Sequence, residues 1–281
     1  MIRASRSATM PAMNENAETP LAPPPPRTER AFRLVVEYDG TRYCGWQRQE
    51  NAPSVQQTLE DTLARITRHP LVIPGAGRTD TGVHAAGQVA CLRTTATDIN
   101  ERSILRGGNT LLPPDIRIVS VEPCAPAFDP RRDARWRRYR YTILNRPAPP
   151  ALDRHRVTHL ALPLDWAAVE AGLAYLPGRH DFSAFRSAHC QATRTELTML
   201  VARHVADPPL HHFEFLCRSF LHNMVRLMSG LLIEIGLGMH APEVVADCLR
   251  ERRRPVQFRT AAPTGLVLME VGYEEYEPVT E

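Results

Sequence analysis

Apolar and polar positions first alternate from Phe32 to Asp39, the period-two pattern of a half-buried strand, and the run closes on the turn signal Tyr38-Asp39-Gly40. Ser54-Val55-Gln56-Gln57 reads as a capping box, with Ser54 as N-cap and Gln57 as its reciprocal partner. Val55, Leu59, Leu63 and Ile66 then recur at helical spacing and give that helix one apolar face. Leu71 to Ile73 has the look of a strand, and Gln88 to Arg93 of another. A helix over Asn100–Leu112 is weakened by Gly107-Gly108. Ile116 to Val121 predicts a strand. Trp136 to Leu144 alternates, which puts Arg137, Tyr139, Tyr141 and Ile143 on one face and Arg138 and Arg140 on the other.

A proline-rich link, Pro147 to Pro150, separates two halves, 31–146 and 147–276. Each reads as strands plus a long amphipathic helix, so an internal duplication is expected. In the second half Asp165 caps a helix to Leu176, with a Leu164–Val169 staple and a stop at Pro177-Gly178. Leu197–Val205 and His211–Cys217 predict a hairpin. From Leu221 to about Ile235 a helix carries the stripe Met224, Leu227, Met228, Leu231 and Ile235. Val225, Leu232 and Ile233 extend apolar character around it, so it is expected to be buried. Arg226 projects from this rod and needs an anion beside it; Glu234 and Glu214 are local candidates. A short helix from Pro242 and a strand over Gly265–Val271 close the chain. Residues 1–30, with the Pro23–Pro26 run, are too poor in packable side chains to offset ordering entropy. They are expected to be a disordered, dispensable tail.

The chain has 281 residues, 43% hydrophobic and 23% charged, enough for a substantial core in one large domain or two smaller ones. The net charge is +3, and every one of the 34 basic residues is arginine. The absence of lysine excludes a Walker-type phosphate loop, a Schiff-base lysine and a kinase-type lysine. The six cysteines are scattered with no C-x-x-C pair, as expected of reduced thiols in a cytoplasmic protein. His189-Cys190 and His211-His212 are adjacent pairs, but no second pair follows at metal-ligand spacing, so no metal is expected. No apolar run is long enough to span a membrane.

Two stretches carry candidate chemistry. In Gly75-Ala76-Gly77-Arg78-Thr79-Asp80-Thr81-Gly82-Val83-His84 a carboxylate sits on a glycine-bounded loop between strand-like segments. Such a loop can display a reacting group. It equally fits a turn whose Asp80 caps backbone N–H groups. The other stretch interleaves Arg131, Arg132, Arg135, Arg137, Arg138 and Arg140 with Trp136, Tyr139 and Tyr141. Arginine and aromatics together suit RNA, phosphates taking the charge and bases the stack. A charged, solvated edge strand would read the same way.

Gly77-Arg78-Thr79-Asp80-x-Gly82-Val83-His84 resembles the signature of the TruA family of tRNA pseudouridine synthases. Further family-like segments follow in order: Arg138-Tyr139-Arg140-Tyr141, Leu221-His222-Asn223-Met224-Val225-Arg226 and Thr264-Gly265-Leu266. The resemblance covers about 31–275. It implies an α+β fold with a central, mostly antiparallel sheet from two related halves, flanking helices and an RNA-binding cleft. It implies isomerisation of uridine to pseudouridine in the tRNA anticodon stem-loop, with no cofactor, by a homodimer. Carried over by position, it makes Asp80 the nucleophile, Arg226 its ion-pair partner and Tyr139 the residue that stacks on the target base. Leu266 would line the uracil pocket, and Arg78 is a candidate to hold the RNA stem open. A non-catalytic RNA-binding protein and a nucleotide-binding enzyme with a phosphate cradle at Gly75–Gly82 are the competing readings. The latter lacks G-x-G-x-x-G spacing.

Overall fold

The computed structural model describes residues 29–188, 190 and 192–277. The tail expectation for residues 1–28, and His189, lie outside them; the first strand already starts at Arg30. The strands are β1 (Arg30–Tyr38), β2 (His84–Thr94), β3 (Ile116–Cys124), β4 (Trp136–Asn145), β5 (Thr158–Leu160), β6 (Gly178–Asp181), β7 (Glu196–Asp207), β8 (Leu210–Cys217) and β9 (Leu266–Gly272). The helices are α1 (Val55–Thr67), α2 (Glu101–Leu111), α3 (Trp166–Leu173), α4 (Met224–Gly236) and α5 (Val244–Glu251).

Among the described residues the strands form one sheet in the order β3-β1-β2-β9-β4-β8-β7-β6, with β5 beside β4. All neighbours are antiparallel except β2–β9 and β4–β5. The fold is thus α+β around a mostly antiparallel sheet, as expected. The last strand of the chain, β9, inserts at the centre. Its parallel contact with β2 is short, His84 opposite Val267 and Ala85 opposite Leu268. At that seam a Cβ on Gly87 would stand 2.5 Å from the Met269 carbonyl oxygen, so only glycine lets the two strands meet.

Ser54 caps α1 by accepting the Gln57 N–H. A two-way capping box closes instead at α2, between Asn100 and Ser103. That helix runs through Gly107-Gly108 despite their low propensity. A Cβ on Gly107 would be 3.1 Å from Ile66, and one on Gly108 only 2.7 Å from Ile118, so the glycines are where α2 packs closely on α1 and β3. In the second half Asp165 caps α3 through the Ala168 N–H, and Leu164 and Val169 are both buried. Helix α3 ends at Leu173, three residues before the expected Leu176. The hairpin β7–β8 forms as expected.

One expectation is corrected and one open alternative is decided. Leu71–Ile73 is not a strand. Pro70 and Pro74 bracket it and remove ladder donors. It runs beside β2 with only scattered bonds, Ala76 N–H to Val89 O at 2.8 Å and Cys91 N–H to Pro74 O at 3.1 Å. The arginine–aromatic strand β4 is no edge: it lies between β9 and β8. Arg137, Tyr139, Tyr141 and Ile143 do share a buried face, and Arg138 and Arg140 pair with Glu270 and Glu214 on the other. Tyr139 and Tyr141 are therefore core, and the arginines left near the surface are mainly those before the strand.

Candidate active site

The Gly75–His84 loop enters β2 at the central seam, and almost every residue in it is tied down. Gln88 donates its side-chain N–H to Gly77 O at 2.7 Å. Tyr38 and Thr79 join hydroxyls at 2.8 Å, and the Trp46 N–H reaches Thr79 O at 3.1 Å. Val83 N–H closes a turn onto Asp80 O, and Gly82 takes the left-handed φ of +77° that this turn requires. Trp46 is 1% exposed and fills the space above Gly75, where a Cβ would come within 2.5 Å of its ring. At the loop's end the Gly40 N–H donates to His84 Nδ1 at 3.0 Å. Burial pushes the His84 imidazole down from its ordinary value, so it stays a neutral acceptor there, with Asp39 as a weaker opposing influence.

This frame leaves the Asp80 side chain with no backbone to cap, which removes the turn-cap reading. No hydrogen bond from the described residues reaches its carboxylate. Two basic side chains do face it: His222 Nε2 is 3.3 Å from Oδ1 and Arg226 Nη1 is 3.8 Å from Oδ2. Burial raises the Asp80 carboxyl above the ordinary aspartate range, and His222 and then Arg226 pull it back part of the way. A carboxylate stripped of hydrogen bonds but held by nearby positive charge keeps its lone pairs free for attack on carbon.

Arg226 is placed by the helix α4, which starts at Met224 rather than at the expected Leu221. Its guanidinium is anchored twice more, Nε to Ala261 O at 2.9 Å and Nη1 to Asn223 Oδ1 at 2.9 Å, while its own carbonyl accepts the Ala261 N–H. Gly230, one turn on, admits that strap: a Cβ there would lie 1.8 Å from Arg259 O. The two other acids considered for Arg226 are engaged elsewhere. Glu214 binds Arg140 and Arg203, and Glu234 binds His240 and the Arg259 N–H.

Tyr139 is 7% exposed and packs edge-on to Phe220, ring centres 4.9 Å apart. Burial, then Tyr38, then the Asp80 charge raise its hydroxyl far above the usual range, so it remains protonated. Leu266 opens β9, buried and paired with Tyr141. Tyr141 itself bonds Thr158 Oγ1 and Ala262 O, a packing role. Arg78 is exposed at the loop's rim and bonds Gln47.

Comparison with known proteins gives the family. The family model described as tRNA pseudouridine synthase matches residues 34–131 and 173–274. The chain belongs to the tRNA pseudouridine synthase family. It is 41% identical to the tRNA pseudouridine synthase A of Methylobacillus flagellatus over 86% of this chain and 92% of that one. It is 42% identical to the enzyme of the same name from Myxococcus xanthus, over 88% and 93%. The activity that goes with this family is isomerisation of uridine in tRNA.

Two features of the synthase are not predicted by the sequence pattern. His222, closer to Asp80 than Arg226 is, is marked in the sequence only by its place in the segment Leu221–Arg226, just before α4. Arg137 stands out as a charge on the apolar face of β4. It proves to be 7% exposed and to donate to four carbonyls, Arg218 O at 2.5 Å, Ala76 O at 2.7 Å, Arg131 O at 2.8 Å and, weakly, Ala134 O at 3.4 Å. It also lines a cavity of about 330 Å³ with Arg131, Arg132, Arg194, Arg218 and Glu196. No helix is long and apolar enough to cross a membrane, and no metal-ligand cluster occurs, both among the described residues.

Proposed function

We propose that Asp80 is the nucleophile with which this synthase converts uridine to pseudouridine in the anticodon stem-loop of tRNA. The observation that carries the assignment is the half-buried Asp80 carboxylate, free of hydrogen bonds and faced by His222 and Arg226. Asp80 attacks C1′ of the ribose or C6 of the base. The N1–C1′ bond breaks, the base turns, C5 bonds to C1′, and the bond to Asp80 breaks again, which returns the free carboxylate. The C5 proton departs and N1 gains a proton, so the product is an isomer and no electrons are exchanged. Uracilate leaves well enough that the second carboxylate of a glycosidase is not required.

Arg226 keeps the carboxylate ionised and fixed in place. Tyr139 packs against the flipped base and offers a protonated hydroxyl. Leu266 borders the base, and Arg78 at the rim fills the stack the uridine has left. The arginine-lined cavity beside Ala76 takes backbone phosphates, for which arginine's forked donors are suited. The protein works in the cytoplasm as a homodimer; sedimentation of the free protein checks the dimer. Incubation with tRNA tritiated at uridine C5 tests the function directly. Tritium release to water is expected. RNA binding without release would favour a non-catalytic RNA-binding protein.

A further inference from the structure

Asp80 has one permanent cation and one conditional one. The Arg226 guanidinium is always charged, but it stands 3.8 Å away and already donates to Ala261 O and Asn223 Oδ1. His222 stands nearer, at 3.3 Å, on the other carboxylate oxygen. Its ring is held from behind. Nδ1 and the Ser187 hydroxyl are 2.9 Å apart, and the Ser187 N–H donates to His222 O at 3.1 Å. In the charged ring both nitrogens carry protons: Nδ1–H donates to the Ser187 hydroxyl, and Nε2 is the nitrogen on the side of Asp80. The imidazole is also 44% exposed, so solvent protons reach it, whereas the Asp80 side chain is 18% exposed.

We propose that His222 is a second cation for Asp80 that is engaged on the acid side of neutrality and keeps the nucleophile ionised there. The proposal rests on the reading of Asp80 as nucleophile. A buried carboxylate tends to take up a proton as pH falls, and that would stop attack on carbon. An imidazole gains charge as pH falls, the same direction of change. Each fall in pH that threatens Asp80 therefore adds a positive charge 3.3 Å from it. Among the described residues, the ionisable groups facing the pair are Arg226 from α4 and Tyr139 from β4. The first is always charged and the second stays neutral, so neither can supply this response. His222 is a positioning residue here: it acts through Asp80, not on the substrate.

The test is single-turnover tritium release from C5-labelled tRNA at pH 5.5 and pH 8, enzyme saturating, for the wild type, His222→Gln and His222→Arg. Circular dichroism at both pH values verifies folding. The readout is the ratio of the rate at pH 8 to the rate at pH 5.5, which is insensitive to the fraction of active protein. Glutamine keeps a polar contact and removes the charge. Its ratio is expected to exceed that of the wild type by ~10-fold, the scale on which one opposite charge within 4–6 Å moves a carboxylate. Arginine makes the charge permanent, and its ratio is expected to be no larger than that of the wild type. If His222→Gln slows the reaction equally at both pH values, or not at all, the proposal is overturned. If the wild type releases no tritium at either pH, the functional reading itself has failed, which is a different result.

Discussion

Replacement of Arg137 by methionine should loosen the active-site loop and the fold together. The side chain is buried and carries no carboxylate partner; its charge is spread over backbone carbonyls from three separate stretches, at Ala76, at Arg131–Ala134 and at Arg218. Hydrogen bonds from a charged donor contribute about 1.5–3 kcal/mol each. The three at 2.5–2.8 Å therefore contribute ~6 kcal/mol before any offset. Burying the guanidinium takes back several kcal/mol, the same desolvation that lowers its affinity for the proton. Methionine recovers that cost and some packing but leaves the carbonyls without donors, so the net loss should be about 2–4 kcal/mol. Ala76 lies four residues before Asp80. A shift of the loop by about 1 Å would slow the chemical step ~100-fold. Denaturant unfolding gives the first quantity and single-turnover tritium release the second. Lysine at this position keeps the charge but reaches fewer carbonyls, and should fall between the two. An Arg137→Met protein with unfolding midpoint and rate both like the wild type would refute the reasoning.

Asp80→Asn should abolish turnover with little change in tRNA affinity, since an amide does not readily attack carbon here. It should also be more stable than the wild type at pH 7. Burial raises the folded-state pKa of Asp80, so its stabilising contribution is present at low pH and lost as pH rises through that value. The gain should shrink as pH falls below the ordinary aspartate value, and unfolding at pH 7 and pH 4 measures it. Arg226 is not stranded by the change, because Ala261 O and Asn223 Oδ1 remain. Tyr139→Phe should bind tRNA and turn over poorly. Tyr141→Phe should instead cost about 1–2 kcal/mol of stability by stranding its partners, with a smaller effect on rate; equal rate losses would undo the assignment. Gly230→Ala should destabilise by ~3 kcal/mol or more and slow turnover, because its Cβ would collide with Arg259 O and push away the strap that holds Arg226. A stable, fully active alanine variant would contradict that geometry. Replacing Arg131 and Arg132 by alanine should flatten the dependence of log K for tRNA on log salt, by about 0.7–0.9 for every phosphate left unneutralised; an unchanged slope would place both off the RNA path.

Local pattern carried a good part of this protein. Period-two alternation marked β1 and β4, helical spacing and the Ser54 cap marked α1, and the encircling apolar residues of α4 foretold its burial. These are consequences of side-chain direction along a few residues, so they are written in the chain itself. The loop bearing Asp80 and the need of Arg226 for an anion were also legible, the second because a buried charge has few states of low energy open to it. Other features depended on what lies opposite. Leu71–Ile73 has strand-like residues, but its two prolines meet β2 there. Gly107-Gly108 should weaken a helix, but close packing on Ile66 and Ile118 makes glycine the residue that fits. The charges of β4 resemble those of an edge, yet β8 and β9 flank it on either side. That Arg226 chooses Asp80 over Glu214 and Glu234, and that His222 and Arg137 converge on the same loop, depends on residues scores of positions apart brought within a few ångströms. Only the assembled sheet and the helix packed on it bring them there, because sequence spacing determines which face a side chain takes but not what meets it.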